Sequence, residues 1–510
     1  MNLVPESKII PRRAGQKSKI VFDLLRAYES RNVSFISPDG SWPIVWERAK
    51  GLDVWDAEGK KYLDLTAAFG VAAAGHANPR VVRAGQEQMA RLLHAMGDVH
   101  PHPLKARLAR ELSRITFERW SMSDKCRVSS GKSRATAASL SPATCHPSLS
   151  GKTIFCNSGF EAVEAGLKTA MMATGRPGVI AFTGAYHGLG YGTLNATHRA
   201  HFRSPFQTQL GEFGHFVPFP KAERGEKLCA VDSKSATSPE SCRDRQIGNL
   251  GSDKEQREGE RGAPRTLEAV EAQMRRLFRR KQIGAVLVEP IQGRGGINIP
   301  PAGFLPLLRR LCDEHQALLI LDEVFTGFGR TGKWFACEHT ATVPDLICLG
   351  KALTGGFPLS ACVGRADRMD AAWPASDGEA IHTSTFLGHP VGCAMALAQI
   401  AELERRDLVK RSAELGEYLL NGLRSEISSP ALQLSIRGVG LLAGVELRLP
   451  SGLPATRRAL EAIQIMLQRR FILLPEGEHS NVLTLTPPLT ISQNQLQTAV
   501  EALSEVLNHG

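Results

Sequence analysis

ALLILDEVFTGFGRTG (residues 317–332) and PDLICLGKALTGG (344–356) each hold a short aliphatic run closed by polar and glycine-rich sequence. Runs of this kind read as strands buried on both faces, the mark of a parallel sheet. Similar runs stand upstream at TIFC (153–156), GVIAF (178–182) and GAVLVEP (284–290). They join ALLILD (317–322) and DLICL (345–349), with helical stretches at 160–174 and 303–315 between them. The alternation predicts an α/β fold with a mainly parallel sheet.

Working outward, residues 41–66 read as a β-meander punctuated by Gly51 and a turn around Asp56–Gly59. A helical stretch runs from about Val81 to Phe117, interrupted near Met96–Pro103. From about Val391 the pattern becomes a long helix, weaker strands (LLAGVEL, NVLTLT) and a terminal helix, as expected for a smaller α+β domain. The expected division is therefore an N-terminal segment 1–75 that joins the small domain, a large domain 76–390 and a small domain 391–510. Residues 121–150 are rich in Ser, Ala and Thr, and residues 221–265 in charge, Ser and Gly. Neither stretch can bury enough apolar surface to offset its ordering entropy, so both read as mobile surface insertions.

A chain of 510 residues exceeds one ordinary domain and can bury a large core without disulfide staples. Its ten cysteines form no C-x-x-C pair, which argues against a zinc site and for a reducing compartment. The N-terminus has no apolar signal segment, and no apolar run is long enough for a membrane span. The cytoplasm is the expected location. The net charge of +11 comes without an aromatic-interleaved basic stripe, so no nucleic-acid partner is expected.

Chemistry enters at the strand ends. Asp322 ends one aliphatic run and Lys351 follows another, and the carboxyl ends of strands in such sheets face the ligand crevice. A pyridoxal cofactor needs these two partners: an amine for a Schiff base, and a carboxylate that keeps the pyridine nitrogen protonated. A third element is CNSGFEAVEAGLKTAMMATGR (156–176), a strand-to-helix turn whose backbone N–H groups suit a phosphate. Many α/β proteins have such turns.

In order and wording, SGFEAVEAGLK (158–168), GAYHGLGYGTLNAT (184–197), VEPIQGRGG (288–296), LDEVFTGFGRTG (321–332), GKALTGG (350–356) and HTSTFLGHPVGCAMALA (382–398) form a recognisable set. The chain resembles the class III, or ω-amino-acid, aminotransferases of the fold type I pyridoxal-phosphate family, including 4-aminobutyrate-, acetylornithine- and ornithine-type members. The resemblance covers nearly the whole chain outside the two insertions. It implies that Lys351 is the Schiff-base lysine and proton shuttle, and that Asp322 pairs with the pyridine nitrogen. It implies Val324 on one ring face, Tyr186 on the other, and Glu289 behind the cofactor. Ser158 and the backbone amides of Gly159 and Phe160 are implied to hold the phosphate. His187, beside Tyr186, is a further candidate cofactor contact, although both also admit the reading of ordinary loop residues. Thr385 matches a threonine that reaches the phosphate of a neighbouring subunit, which implies a homodimer.

Three departures from the family pattern stand out. Phe160 replaces a small residue in the phosphate turn. Phe325 replaces a glutamine often found there. Arg294 replaces a glutamate that, in ornithine- and 4-aminobutyrate-type members, masks an arginine; that arginine aligns with Thr484. Arg294 is thus the candidate for binding a substrate carboxylate, or else a structural arginine in a glycine-rich loop. The implied reaction moves an amino group from an ω-amino acid, diamine or related amine to a 2-oxo acid in two ping-pong halves. Aminomutases, racemases and decarboxylases share the fold. A cofactor-binding protein without turnover is the alternative of another class.

Overall fold

The computed structural model describes residues 15–38, 40, 42–121, 150–222 and 266–508. The two expected insertions, save their end residues, lie outside the described residues. The expected meander forms three antiparallel strands, β1 (Trp46–Lys50), β2 (Asp53–Asp56) and β3 (Lys61–Asp64). Helices Pro79–Arg91 and Pro103–Ser113 follow, each with proline in its first turn. Proline fits there because the first helical N–H groups lack intrahelical acceptors anyway.

The aliphatic runs build one seven-stranded sheet. Its strands are β4 (Gly151–Cys156), β5 (Gly178–Phe182), β6 (Gly214–Val217), β7 (Ile283–Val288), β8 (Leu318–Asp322), β9 (Leu346–Leu349) and β10 (Ser360–Arg365). The spatial order is β4-β10-β9-β8-β7-β5-β6, and only β10 runs antiparallel to its neighbours. Every residue of β5, β7, β8 and β9 is buried, which is why these strands carry unbroken aliphatic runs instead of alternation. The helix Gly159–Thr174 covers one face of the sheet, packing through Ala162, Val163, Ala165 and Leu167 onto Ile320, Cys348 and Cys362. The helix Phe304–His315 packs on the other through Phe304, Leu308 and Leu311.

The last part of the chain builds an antiparallel sheet of β11 (Gln433–Val439), β12 (Leu442–Arg448), β14 (Leu474–Glu476) and β15 (Val482–Leu485), in the order β11-β12-β15-β14. Helices Leu408–Glu426, Thr456–Gln468 and Gln493–Asn508 accompany it. The short β13 (Phe471–Ile472) leaves this group and pairs in parallel with β3. Arg470 reinforces the junction by donating to the Tyr62 hydroxyl at 3.0 Å. Among the described residues no helix is long and apolar enough to cross a membrane.

Candidate active site

Asp322 closes β8 opposite Cys348 of β9, and Lys351 stands two residues beyond the end of β9. Two neighbouring parallel strands thus deliver an acid and an amine to one sheet edge. Lys351 turns there in the left-handed region, with φ +43°, a conformation costing a non-glycine residue about 1–3 kcal/mol. Burial pulls its ammonium down to about 8, while Asp322, Glu289 and Glu476 pull the other way. A lysine so tuned populates both protonation states near neutral pH.

Asp322 is held on both oxygens. One accepts the Val324 backbone N–H at 3.1 Å, and the other lies 2.8 Å from Nδ1 of His187. His187 is buried, and its Nε2 has no hydrogen-bond partner. Its backbone N–H is anchored by the Thr197 hydroxyl at 2.9 Å. Sequence reading named both residues without showing that they meet.

The turn before the helix Gly159–Thr174 lies beside this pair. Glu161 accepts the backbone N–H groups of Asn157 at 2.6 Å and Ser158 at 3.0 Å, and Ser360 of β10 donates to the Ser158 carbonyl at 2.6 Å. So pinned, the turn leaves the first helical N–H groups, those of Gly159 and Phe160, at the positive end of the helix. The Ser158 hydroxyl is buried and has no partner. Val324 sits against Gly159: a Cβ added there would stand 3.0 Å from a Val324 methyl. Phe160 does not crowd the turn. Its side chain lies over the next loop, where a Cβ on Gly188 or Gly190 would collide with it.

Glu289 follows β7 and joins two loops of the site, accepting from the Tyr186 backbone at 2.8 Å and the Gly293 backbone at 2.9 Å. Burial pushes its carboxyl up to about 7. The Tyr186 ring meets Phe202 edge-on at 5.5 Å and carries the Arg294 guanidinium 5.0 Å from its centroid.

Arg294 has an acidic neighbour that no motif announces. Glu476, at the end of β14, places a carboxylate oxygen 3.7 Å from Arg294 Nε. Burial raises the Glu476 carboxyl, and Arg294 and Lys351 oppose that rise. Thr484 takes no part, since its buried hydroxyl donates to the Leu474 carbonyl at 2.8 Å. Thr385 is exposed, in a loop held by Thr383 donating to Asp98 at 2.7 Å and by Ser384 accepting from Asn157 at 3.4 Å.

The comparisons with known proteins agree with this geometry. The family model described as "Aminotransferase class-III" matches residues 36–507. The chain is 31% identical over 466 residues to an acetylornithine aminotransferase of Methanosarcina mazei, covering 91% of this chain and 92% of that protein. It is 33% identical over 465 residues to a 5-aminovalerate aminotransferase of Pseudomonas aeruginosa, covering 91% and 93%. A Bacillus anthracis aminotransferase of known structure superposes with a TM-score of 0.76 at 25% identity, over 97% of this chain and 99% of that one.

The residues fit pyridoxal phosphate. An amine of lowered basicity faces a buried carboxylate, and beside them a helix end offers free N–H groups and a partnerless buried hydroxyl for an anion. Matched over most of its length, the chain belongs to the class III aminotransferases and works with pyridoxal phosphate as its cofactor.

Proposed function

We propose that this enzyme takes an amino group from an ω-amino acid, a diamine or a related amine and gives it to a 2-oxo acid. Lys351 is the residue that holds the cofactor and moves the proton, and Asp322 sits at the pyridine nitrogen with His187 orienting it. Ser158, Gly159 and Phe160 take the phosphate, Val324 and Tyr186 flank the ring, and Glu289 supports the site from behind. When bound, the cofactor supplies the electron sink that makes a substrate C–H bond acidic. The rest falls to the chain. Lys351, close to half-charged near pH 8, can accept a proton from substrate carbon and return it on the same face. The observation that carries the reading is the facing of Lys351 and Asp322 across adjacent strand ends. Mixing holoenzyme with a panel of ω-amino acids and diamines should bleach the visible absorbance of the bound cofactor, and a 2-oxo acid should restore it. A panel that leaves the band untouched would sink this reading.

Substrate choice falls to Arg294 and Glu476, opposite charges close enough to Lys351 to act on it. A guanidinium grips the carboxylate of an acidic substrate through two parallel hydrogen bonds, displacing Glu476 to do so. The distal ammonium of a diamine meets Glu476 instead. Arg294→Ala is expected to raise KM for carboxylate-bearing substrates by about tenfold or more, with far less effect on simple amines. Equal impairment of both would make Arg294 a structural residue.

The exposed loop around Thr385 supports a homodimer in which this threonine reaches the partner's phosphate. Sedimentation of holoenzyme at the mass of one chain would refute it. The six described cysteines are all unpaired and buried, which suits the reducing cytoplasm.

A further inference from the structure

The Lys351 ammonium lies 4.0 Å from the centroid of the Phe325 ring. We propose that Phe325 is a positioning residue for Lys351: its ring face holds the amine in the charged form whenever the lysine is free of the cofactor. The proposal rests on Lys351 being the lysine that holds the cofactor and shuttles the proton.

The ring is fixed from both sides. A Cβ on Gly293 would stand 2.5 Å from one ring edge, and a Cβ on Gly70 would stand 2.9 Å from the other. Its remaining surface meets the buried cluster of Ile291, Ile297, Ala336 and Leu442. The Gly70 side is itself rigidly built. Ala67, Ala68, Phe69 and Gly70 run in succession through the left-handed region, with φ of 48°, 48°, 60° and 82°. The buried Asp64 carboxylate holds this run, accepting from Thr66 N at 2.8 Å, Thr66 Oγ1 at 2.6 Å and Ala68 N at 3.1 Å, and lying 2.7 Å from His76 Nε2. A single ring is therefore wedged between two backbone segments with its face turned to one ammonium.

The charged groups acting on Lys351 are Asp322 on β8, Glu289 after β7, Glu476 on β14 and Arg294 in the loop that follows Glu289. The three carboxylates favour the ammonium, while Arg294 and burial oppose it. An aromatic face adds to the favourable side without adding a titrating group or a hydrogen bond that would tether the amine. That combination suits a shuttle, which must hold a proton and yet remain free to swing.

The test separates the electronic role from a steric one. Full-length enzyme stripped of cofactor captures pyridoxal phosphate only through a neutral amine, so the pH midpoint of capture reports Lys351. Phenylalanines carrying one, two and three fluorines at position 325 keep the ring's shape while draining its face of negative charge. The midpoint is expected to fall stepwise, by about half a unit or more for the trifluoro ring. Gly293→Ala, which must push the ring aside, is expected to lower it too. A midpoint constant across the fluorinated series overturns the proposal and leaves Phe325 a wall. Borohydride fixation with peptide mapping keeps the two ideas apart: label on another lysine defeats the assignment of Lys351, whereas label on Lys351 with a flat series defeats only the role of Phe325.

Discussion

Lys351→Ala is expected to lose at least about ten-thousand-fold in kcat/KM, which is roughly 5.4 kcal/mol of lost transition-state stabilisation. On the proposed assignment two functions vanish together: the amine that would fix the cofactor and the base that would move the substrate proton. The fold should not suffer. In the native protein the cleft disfavours this ammonium, so truncating the side chain removes a desolvation cost along with the chemistry. Compared with wild-type enzyme stripped of cofactor, the melting temperature is therefore expected to hold or rise, and added small alkylamines should restore part of the rate by entering the vacated space. A variant that melts several degrees below the cofactor-free wild type would show Lys351 to be structural. One that keeps a tenth of the activity would remove it from the reaction.

Asp322→Asn carries the second largest expected effect, a loss of about 10²–10³-fold in kcat, or roughly 2.7–4 kcal/mol. An amide can still accept from the Val324 N–H and meet His187, so the hydrogen-bond geometry has a substitute for both native contacts. What it lacks is charge. On the proposed assignment, a bound cofactor would then lack the negative charge that keeps its pyridine nitrogen protonated. Cofactor content, measured after gel filtration, should stay close to one per chain. Activity within about tenfold of wild type would correspond to under ~1.4 kcal/mol, too little for the assigned role.

Much of this was legible in the sequence because aliphatic runs buried on both faces are hard to mistake, and their ends mark the crevice. Asp322 and Lys351 are local facts of that kind. The antiparallel β10 was not legible, since SACVGR mixes small, polar and charged residues within a buried strand. Glu476 was hidden for another reason. It closes a three-residue strand reading Leu-Pro-Glu, and nothing in that segment signals that β14 will lay it beside Arg294. In the sequence Phe325 stands out only as the replacement for a glutamine. Its face becomes informative once Gly70, far upstream, and Gly293 clamp the ring over Lys351. The bond from His187 to Asp322 likewise spans 135 residues, and neither segment encodes the other. Patterning reports what a residue does to its own strand or helix; it is silent on which distant loop arrives opposite.

The pairing of β13 with β3 bears on how the molecule comes to be folded at all. Tyr62 and Arg470 are separated by 408 residues, and the N-terminal meander gains its fourth strand only when Phe471–Ile472 arrives. At about 5–20 residues per second, a ribosome needs roughly 20–80 s to make the chain between them. Throughout that interval β3 presents an unpaired edge, beside apolar side chains such as Leu63 that later pack in the core. Refolding from denaturant is therefore expected to be slow and concentration-sensitive, because its closing contact is among the most distant in the chain.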